Sequence, residues 1–156
     1  MDYSVQKMQE KVHMTLGVLF KNDSFLLEAD VHERSIAHKL AEYLQDEFPD
    51  WNVDCEYNKK GRDNKILDGI QECSEQKTTD RIYPDIIVHI RNTDENLLVI
   101  EIKTNNQRDP CDIKKLQLLT KPRNGYEYKL GLYMRFNHLD NPVLEWFKNG
   151  RRYEAA

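Results

Sequence analysis

Apolar residues recur along this chain in two rhythms. From about Ser4 to Phe20, Val5, Met8, Val12, Leu16 and Leu19 return every three or four positions, the spacing of one helix face. That stripe stops near Asn22-Asp23. A second stripe, Ile36, Leu40, Leu44 and Phe48, predicts a helix from about Val31 to Phe48 that ends before Pro49, with Asp30 as its N-cap. From Trp51 to Tyr57 the rhythm becomes alternation, Val53, Cys55 and Tyr57 against Asp54 and Glu56, which predicts a strand. Two runs rich in β-branched residues, Asp85 to Arg91 and Leu97 to Lys103, flank the turn-type cluster Asn92-Thr93-Asp94-Glu95-Asn96 and predict an antiparallel hairpin.

Further on, Asp109-Pro110 opens a helix that runs to about Thr120, with Asp as cap and Pro at its first position. Tyr126 to Phe136 reads as the last strand, with Leu130, Leu132 and Met134 alternating with Gly131, Tyr133 and Arg135. Pro142 to Lys148 reads as a short closing helix. The segment from Lys59 to Arg81 is polar and charged, although Ile66, Leu67 and Ile70 allow a short helix. A connection of this length is either functional or without fixed structure, and a substrate lid and a disordered insertion both fit. The expected fold is α/β: a central mixed sheet flanked by helices, with an extra N-terminal helix. One domain spans 1–156, divided into an N-terminal helical extension (1–29), a core (30–136) and a C-terminal helix and tail (137–156).

The chemistry is concentrated in the hairpin. Asp85 and Glu101-Ile102-Lys103 sit inside apolar runs, where isolated charges cost several kcal/mol unless paired or bound to metal. Side chains alternate along a strand, so Asp85, Ile87, His89 and Arg91 share a face, as do Leu97, Val99, Glu101 and Lys103. A turn centred on Asp94 pairs Ile87 with Glu101 and Asp85 with Lys103. Glu101 then lies diagonally from Asp85, roughly 7–8 Å away across the backbone. Two carboxylates so placed can meet around a divalent cation, with Lys103 beside it. The competing reading is a plain salt bridge from Asp85 to Lys103, with Glu101 facing solvent.

Composition narrows the setting. With 156 residues, 39% hydrophobic and 10% aromatic, the chain can build a real core. No run approaches the roughly 18 apolar residues of a membrane span, and Glu10, Lys11 and His13 break any signal-peptide pattern. The expected compartment is cytoplasmic. Cys55, Cys73 and Cys111 lack metal-ligand spacing and are expected as three reduced thiols. The five histidines form no ligand pattern; His89 shares the hairpin face but fits a core position better than a ligand. A net charge of −4 argues against avid nonspecific nucleic-acid binding by the isolated chain. Positive charge is nonetheless clustered, at Lys59, Lys60, Arg62 and Lys65, at Lys114, Lys115, Lys121 and Arg123, and at Arg151 and Arg152.

Pro84-Asp85 followed by Glu101-Ile102-Lys103 resembles the PD-(D/E)XK motif of the restriction-endonuclease-like nuclease superfamily. That family's core runs helix, three strands, helix, strand, and the resemblance covers nearly the whole chain beyond Asp30. It implies metal-dependent hydrolysis of phosphodiester bonds, in DNA above all, with RNA left open. It implies Mg²⁺, with Mn²⁺ as substitute, held by Asp85, Glu101, the backbone carbonyl of Ile102 and, through water, Glu33. Glu33 shares a helix face with Ala37, Leu40 and Leu44, yet Asp30-Val31-His32-Glu33 is also an acidic variant of a capping box. The resemblance makes Lys103 a catalytic lysine, and Lys114, Lys115 and Gln117 candidates for substrate phosphates, with Lys59, Lys60 and Arg62 on the polar segment. A homodimer or larger complex that supplies target recognition is compatible with it. Two rivals remain: a nuclease-like binding or regulatory module that no longer cleaves, and an interaction protein whose charges form a structural ion pair.

Overall fold

The computed structural model describes residues 3–28, 33–57, 83–104, 107–137 and 142–154. Three helices, α1 (Val5–Glu28), α2 (Glu33–Glu47) and α3 (Pro110–Thr120), flank one sheet. Its strands are β1 (Asn52–Cys55), β2 (Ile86–His89), β3 (Asn96–Lys103), β4 (Leu130–Arg135), β5 (Val143–Lys148) and β6 (Arg151–Tyr153). They lie side by side in chain order. β3 and β4 are parallel, while the other neighbouring pairs are antiparallel. The parallel pair requires a crossover, and α3 supplies it. The architecture is therefore α/β with a mixed six-stranded sheet. Among the described residues no helix is long and apolar enough to cross a membrane.

Alternation decides which helix covers which face. Ile86, Val88, Leu98, Ile100, Ile102, Leu130, Leu132 and Met134 pack with α1 and α2. Ile87, Val99, Tyr133 and Phe147 point the other way, onto Ile113, Leu116 and Leu119 of α3. Gly131 lets α3 approach: a Cβ there would stand 3.0 Å from Thr120 Cγ2. Met8, Val12, Leu16 and Leu19 form the buried stripe of α1, while Met14, Val18 and Phe25 face outward.

Several expectations are corrected. The chain does leave helical geometry at Asp23 (φ −132°, ψ 29°), but α1 resumes and continues to Glu28. α2 begins at Glu33 and ends at Glu47; Asp30, the expected cap, lies outside the described residues. The segment expected as a closing helix is strand β5. Asn149 and Gly150, at φ 54° and 79°, form a two-residue turn that pairs Lys148 with Arg151. That turn matches the right-handed twist of two strands, and a hairpin follows. β4 is shorter than expected because Glu127 has φ 48° and Tyr128 N donates to Leu119 O, outside the sheet ladder.

The β2–β3 register also differs from the expected one. Ile87 faces Val99 and Ile86 faces Ile100, so Asp85 falls directly opposite Glu101 rather than Lys103. A bulge between Val88 and His89, and a turn closed by Ile90 N donating to Glu95 O at 3.0 Å, move the turn's centre toward Thr93. The slip is by two residues, so Asp85, Ile87, Val99, Glu101 and Lys103 keep their expected face, whereas Leu97, beside the bulge, packs with Leu98 toward α1 and α2.

Candidate active site

β2 begins at Ile86, so the Ile102 N–H near the end of β3 has no ladder acceptor on that side. Asp85 fills the gap. Its Oδ2 accepts from Ile102 N at 2.7 Å, while its own carbonyl accepts from Glu56 N at 3.2 Å. N–H and C=O of one strand residue point the same way, so the Ile102 carbonyl faces the same edge as the Asp85 carboxylate. Glu101 and Lys103 project from β3 onto the face covered by α3. Glu101 is 3% exposed.

α3 adds charge to this face because Asp109 caps it: Asp109 Oδ1 accepts from Cys111 N at 2.9 Å, with Pro110 in the first turn. Its first turns then aim Asp112 and Lys115 at β3. Lys115 Nζ lies 3.1 Å from Glu101 Oε1 and 3.8 Å from Asp112 Oδ1. Lys103 Nζ lies 3.4 Å from Asp112 Oδ2 and 3.5 Å from Asp109 Oδ2. From the other layer, Glu33 at the start of α2 reaches the end of β3, where its Oε1 accepts from Thr104 N at 3.4 Å. Five carboxylates, Glu33, Asp85, Glu101, Asp109 and Asp112, thus surround two ammonium groups.

The electrostatics follow from burial. Burial pushes the Glu101 carboxyl well above the usual range; Lys115 opposes this, while Asp85 and Asp112 add to it. Burial also raises Glu33 and Asp112, against the pull of Lys103 on both. Burial alone would lower Lys103, but Asp112, Glu33 and Asp109 outweigh it and raise the ammonium's pKa. Lys115 is raised in the same way, by Glu101 and Asp112 against burial. The lysines therefore stay charged.

The structure brings together Asp85, Glu101, Lys103 and Glu33. The competing reading, an Asp85–Lys103 salt bridge, is not the pairing formed: Lys103 goes to Asp109 and Asp112, and Glu101 is buried rather than solvent-facing. Lys115 belongs to this cluster, held against Glu101. Lys114 and Gln117 lie elsewhere, in a groove on α3's opposite flank. Lys59, Lys60 and Arg62 lie outside the described residues. His89 is buried and paired, with Nε2 2.7 Å from Asp54 Oδ2, and Arg91 holds the same carboxylate. Glu56 is an exposed edge charge bound to Arg34. Cys55 is a free thiol whose pKa burial pushes up to about 11. Cys111 is disulfide-bonded, which corrects the expectation of three reduced thiols: spacing along a chain says little about which thiols a fold brings together.

Asp112 is a site residue that sequence reasoning missed, although its position three residues before Lys115 at a helix start was a signal. A supporting row was missed as well. Tyr133 lies beside Glu101 on β4, and Glu145 beside Tyr133 on β5. Tyr133 Oη accepts from Asp109 N at 2.9 Å and donates to Gln107 O at 3.2 Å. Buried Glu145 holds Arg108 at 3.2 Å and Arg152 at 3.1 Å. Together they fix the segment that carries Asp109.

Among the described residues, no three His, Cys, Asp or Glu side chains stand in a ready-made metal cage. The donor chemistry nevertheless fits a hard dication, since it consists of carboxylate and carbonyl oxygens. Glu101 Oε1 is buried and accepts no well-aligned hydrogen bond, although Lys115 Nζ approaches it. Such an oxygen is satisfied by a cation. Comparison with known proteins returns no match: no family model, no curated protein and no solved structure aligns with this chain.

Proposed function

We propose that this protein is a metal-dependent nuclease of the PD-(D/E)XK type that hydrolyses phosphodiester bonds in DNA, with RNA as the alternative polymer. One observation carries the reading. Asp85, Glu101 and Lys103 gather at the β2–β3 edge, and Glu33 arrives there from the preceding helix. The element order from α2 to β4, helix, three strands, helix, strand, supports it.

Asp85 and Glu101, with the Ile102 carbonyl, would hold Mg²⁺ or Mn²⁺, and Glu33 would reach it through water. When bound, such an ion supplies Lewis-acid polarisation of a phosphoryl oxygen and an acidified water. The chain's own groups do the rest. Asp85 is oriented by the Ile102 N–H, and the buried wall of β2 and β3 excludes bulk water from Glu101. Lys103 stays protonated, held by Asp112 and Asp109, and presents a donor to charge developing on the phosphate.

The Glu101–Lys115 ion pair favours a second reading, a nuclease-like module that binds nucleic acid without cleaving it, because that pair already neutralises the central carboxylate. Purified protein incubated with linear, circular and branched DNA, with Mg²⁺ or Mn²⁺ and with EDTA, separates the two. Metal-dependent cleavage that is slowed roughly 100-fold in Lys103→Met supports the nuclease. Metal binding without turnover supports the module.

A further inference from the structure

Helix α3 has a second charged flank. Lys114, Gln117 and Lys121 follow one another at three- and four-residue spacing, on the side of the helix away from Asp112 and Lys115. Facing them is the β5–β6 turn, Asn149-Gly150, with Arg151. Between helix and turn lies a concave groove of about 530 Å³. Its lining holds three cationic side chains and no carboxylate, in a chain whose net charge is −4.

The groove is built firmly. Gly150 N donates to Thr120 Oγ1 at 3.2 Å, which pins the turn to the end of α3. A Cβ on Gly150, already at φ +79°, would stand 3.2 Å from Lys121 Cβ. Two of these charges are also available to a ligand. Lys103, Lys115, Arg108 and Arg152 all have carboxylate partners, whereas Lys121 and Arg151 have none among the described residues. From Lys114 to Lys121 the helix rises ~10 Å. That is more than one anion needs and equals about three base-pair steps of ~3.4 Å along a duplex axis. The groove and the Glu101 cluster lie on opposite flanks of one helix, within a helix diameter of ~10 Å.

We propose that this groove binds the phosphodiester backbone of a nucleic acid a few nucleotides from the bond that the candidate active site would cleave. The substrate class rests on the nuclease reading, but the binding does not need a metal.

The test uses the full chain, a fluorescent 20-nucleotide DNA duplex and fluorescence anisotropy in EDTA across a salt series. The variants are Lys121→Ala, Arg151→Ala and the two combined. Lys39→Ala, on α2 and the other face of the sheet, removes the same charge away from the groove. The double variant is expected to bind at least ~10-fold more weakly at low salt. Its slope of log K against log salt should fall by roughly 0.9 for each phosphate that the groove no longer neutralises. Lys39→Ala should change affinity less than twofold. Equal affinity and slope for the double variant and wild type overturns the proposal, and so does a wild type that binds no DNA. So does a weakening by Lys39→Ala as large as by either groove variant. Groove-dependent binding without Mg²⁺-dependent cleavage keeps the groove and removes the nuclease reading. Cleavage that is indifferent to the groove variants, with unchanged binding, does the reverse.

Discussion

Lys115 Nζ of α3 lies 3.1 Å from Glu101 Oε1 of β3, an ammonium set on a carboxylate that is 3% exposed. Removing one partner of a buried ion pair leaves the other uncompensated, at a cost of ~3 kcal/mol or more. Lys115→Met should therefore lower urea-unfolding stability by about that amount in EDTA. Mn²⁺ should restore much of the loss. Combining it with Glu101→Gln removes both charges, and the double variant should be more stable than Lys115→Met alone. A Lys115→Met midpoint equal to wild type would show that the pair contributes nothing.

The raised carboxyls set the pH dependence. Burial raises Glu101, Glu33 and Asp112, so the folded protein holds these protons more tightly than the unfolded chain. Stability then falls as pH rises above the ordinary carboxylate range, near about 4. In EDTA, Tm should be higher at pH 5.5 than at pH 8, and Glu101→Gln should flatten the difference. Under stronger acid the trend reverses: although burial alone would raise the Asp54 carboxyl, Arg91 and His89 hold it below its usual range. Its contribution is present above the unfolded pKa and is lost as pH falls through the folded one. The raised lysines, Lys103 and Lys115, contribute below their unfolded pKa and lose that contribution in strong alkali. A Tm that rises steadily from pH 5.5 to pH 8 in EDTA would contradict the assignment.

Lys103 should matter for turnover more than for binding. It has three donors and no acceptor, so it cannot ligate a cation. Lys103→Met should keep Mn²⁺ affinity near wild type and slow DNA cleavage by roughly 100-fold, as for loss of one transition-state donor. Single-turnover cleavage at the wild-type rate would exclude a catalytic role.

Glu33 tests the contribution of α2. Its Oε1 contact with Thr104 N can be kept by an amide oxygen, so Glu33→Gln should fold normally by circular dichroism. Removing its charge should weaken Mn²⁺ binding partially and slow cleavage strongly. Wild-type cleavage by Glu33→Gln would reduce its role to holding the end of β3.

Much of this arrangement was legible in the chain. Leu130, Leu132 and Met134 against Gly131 and Tyr133 announced two differently covered faces, and Asp109-Pro110 announced α3 to the residue. The faces of Asp85, Glu101 and Lys103 were also readable, because a two-residue slip preserves them. What stayed hidden depended on long-range geometry. The turn closed between Ile90 and Glu95 set the register, and the Asn149-Gly150 turn outweighed the helix-like spacing of Val143, Leu144 and Phe147. Lys115 read as a surface phosphate ligand because nothing local shows that α3 would lay it on Glu101. Tyr133 and Glu145 join the site only when β4 and β5 line up beside β3.

The most direct test of the central claim is calorimetric titration of Mn²⁺ into wild type, Asp85→Asn and Glu101→Gln. Asparagine keeps an oxygen that accepts from Ile102 N, so Asp85→Asn should fold and lose only charge. The account predicts that wild type binds Mn²⁺ and that each variant binds at least ~10-fold more weakly, since each removes one anionic ligand. Unchanged Mn²⁺ affinity in both variants would contradict a metal centre built on Asp85 and Glu101.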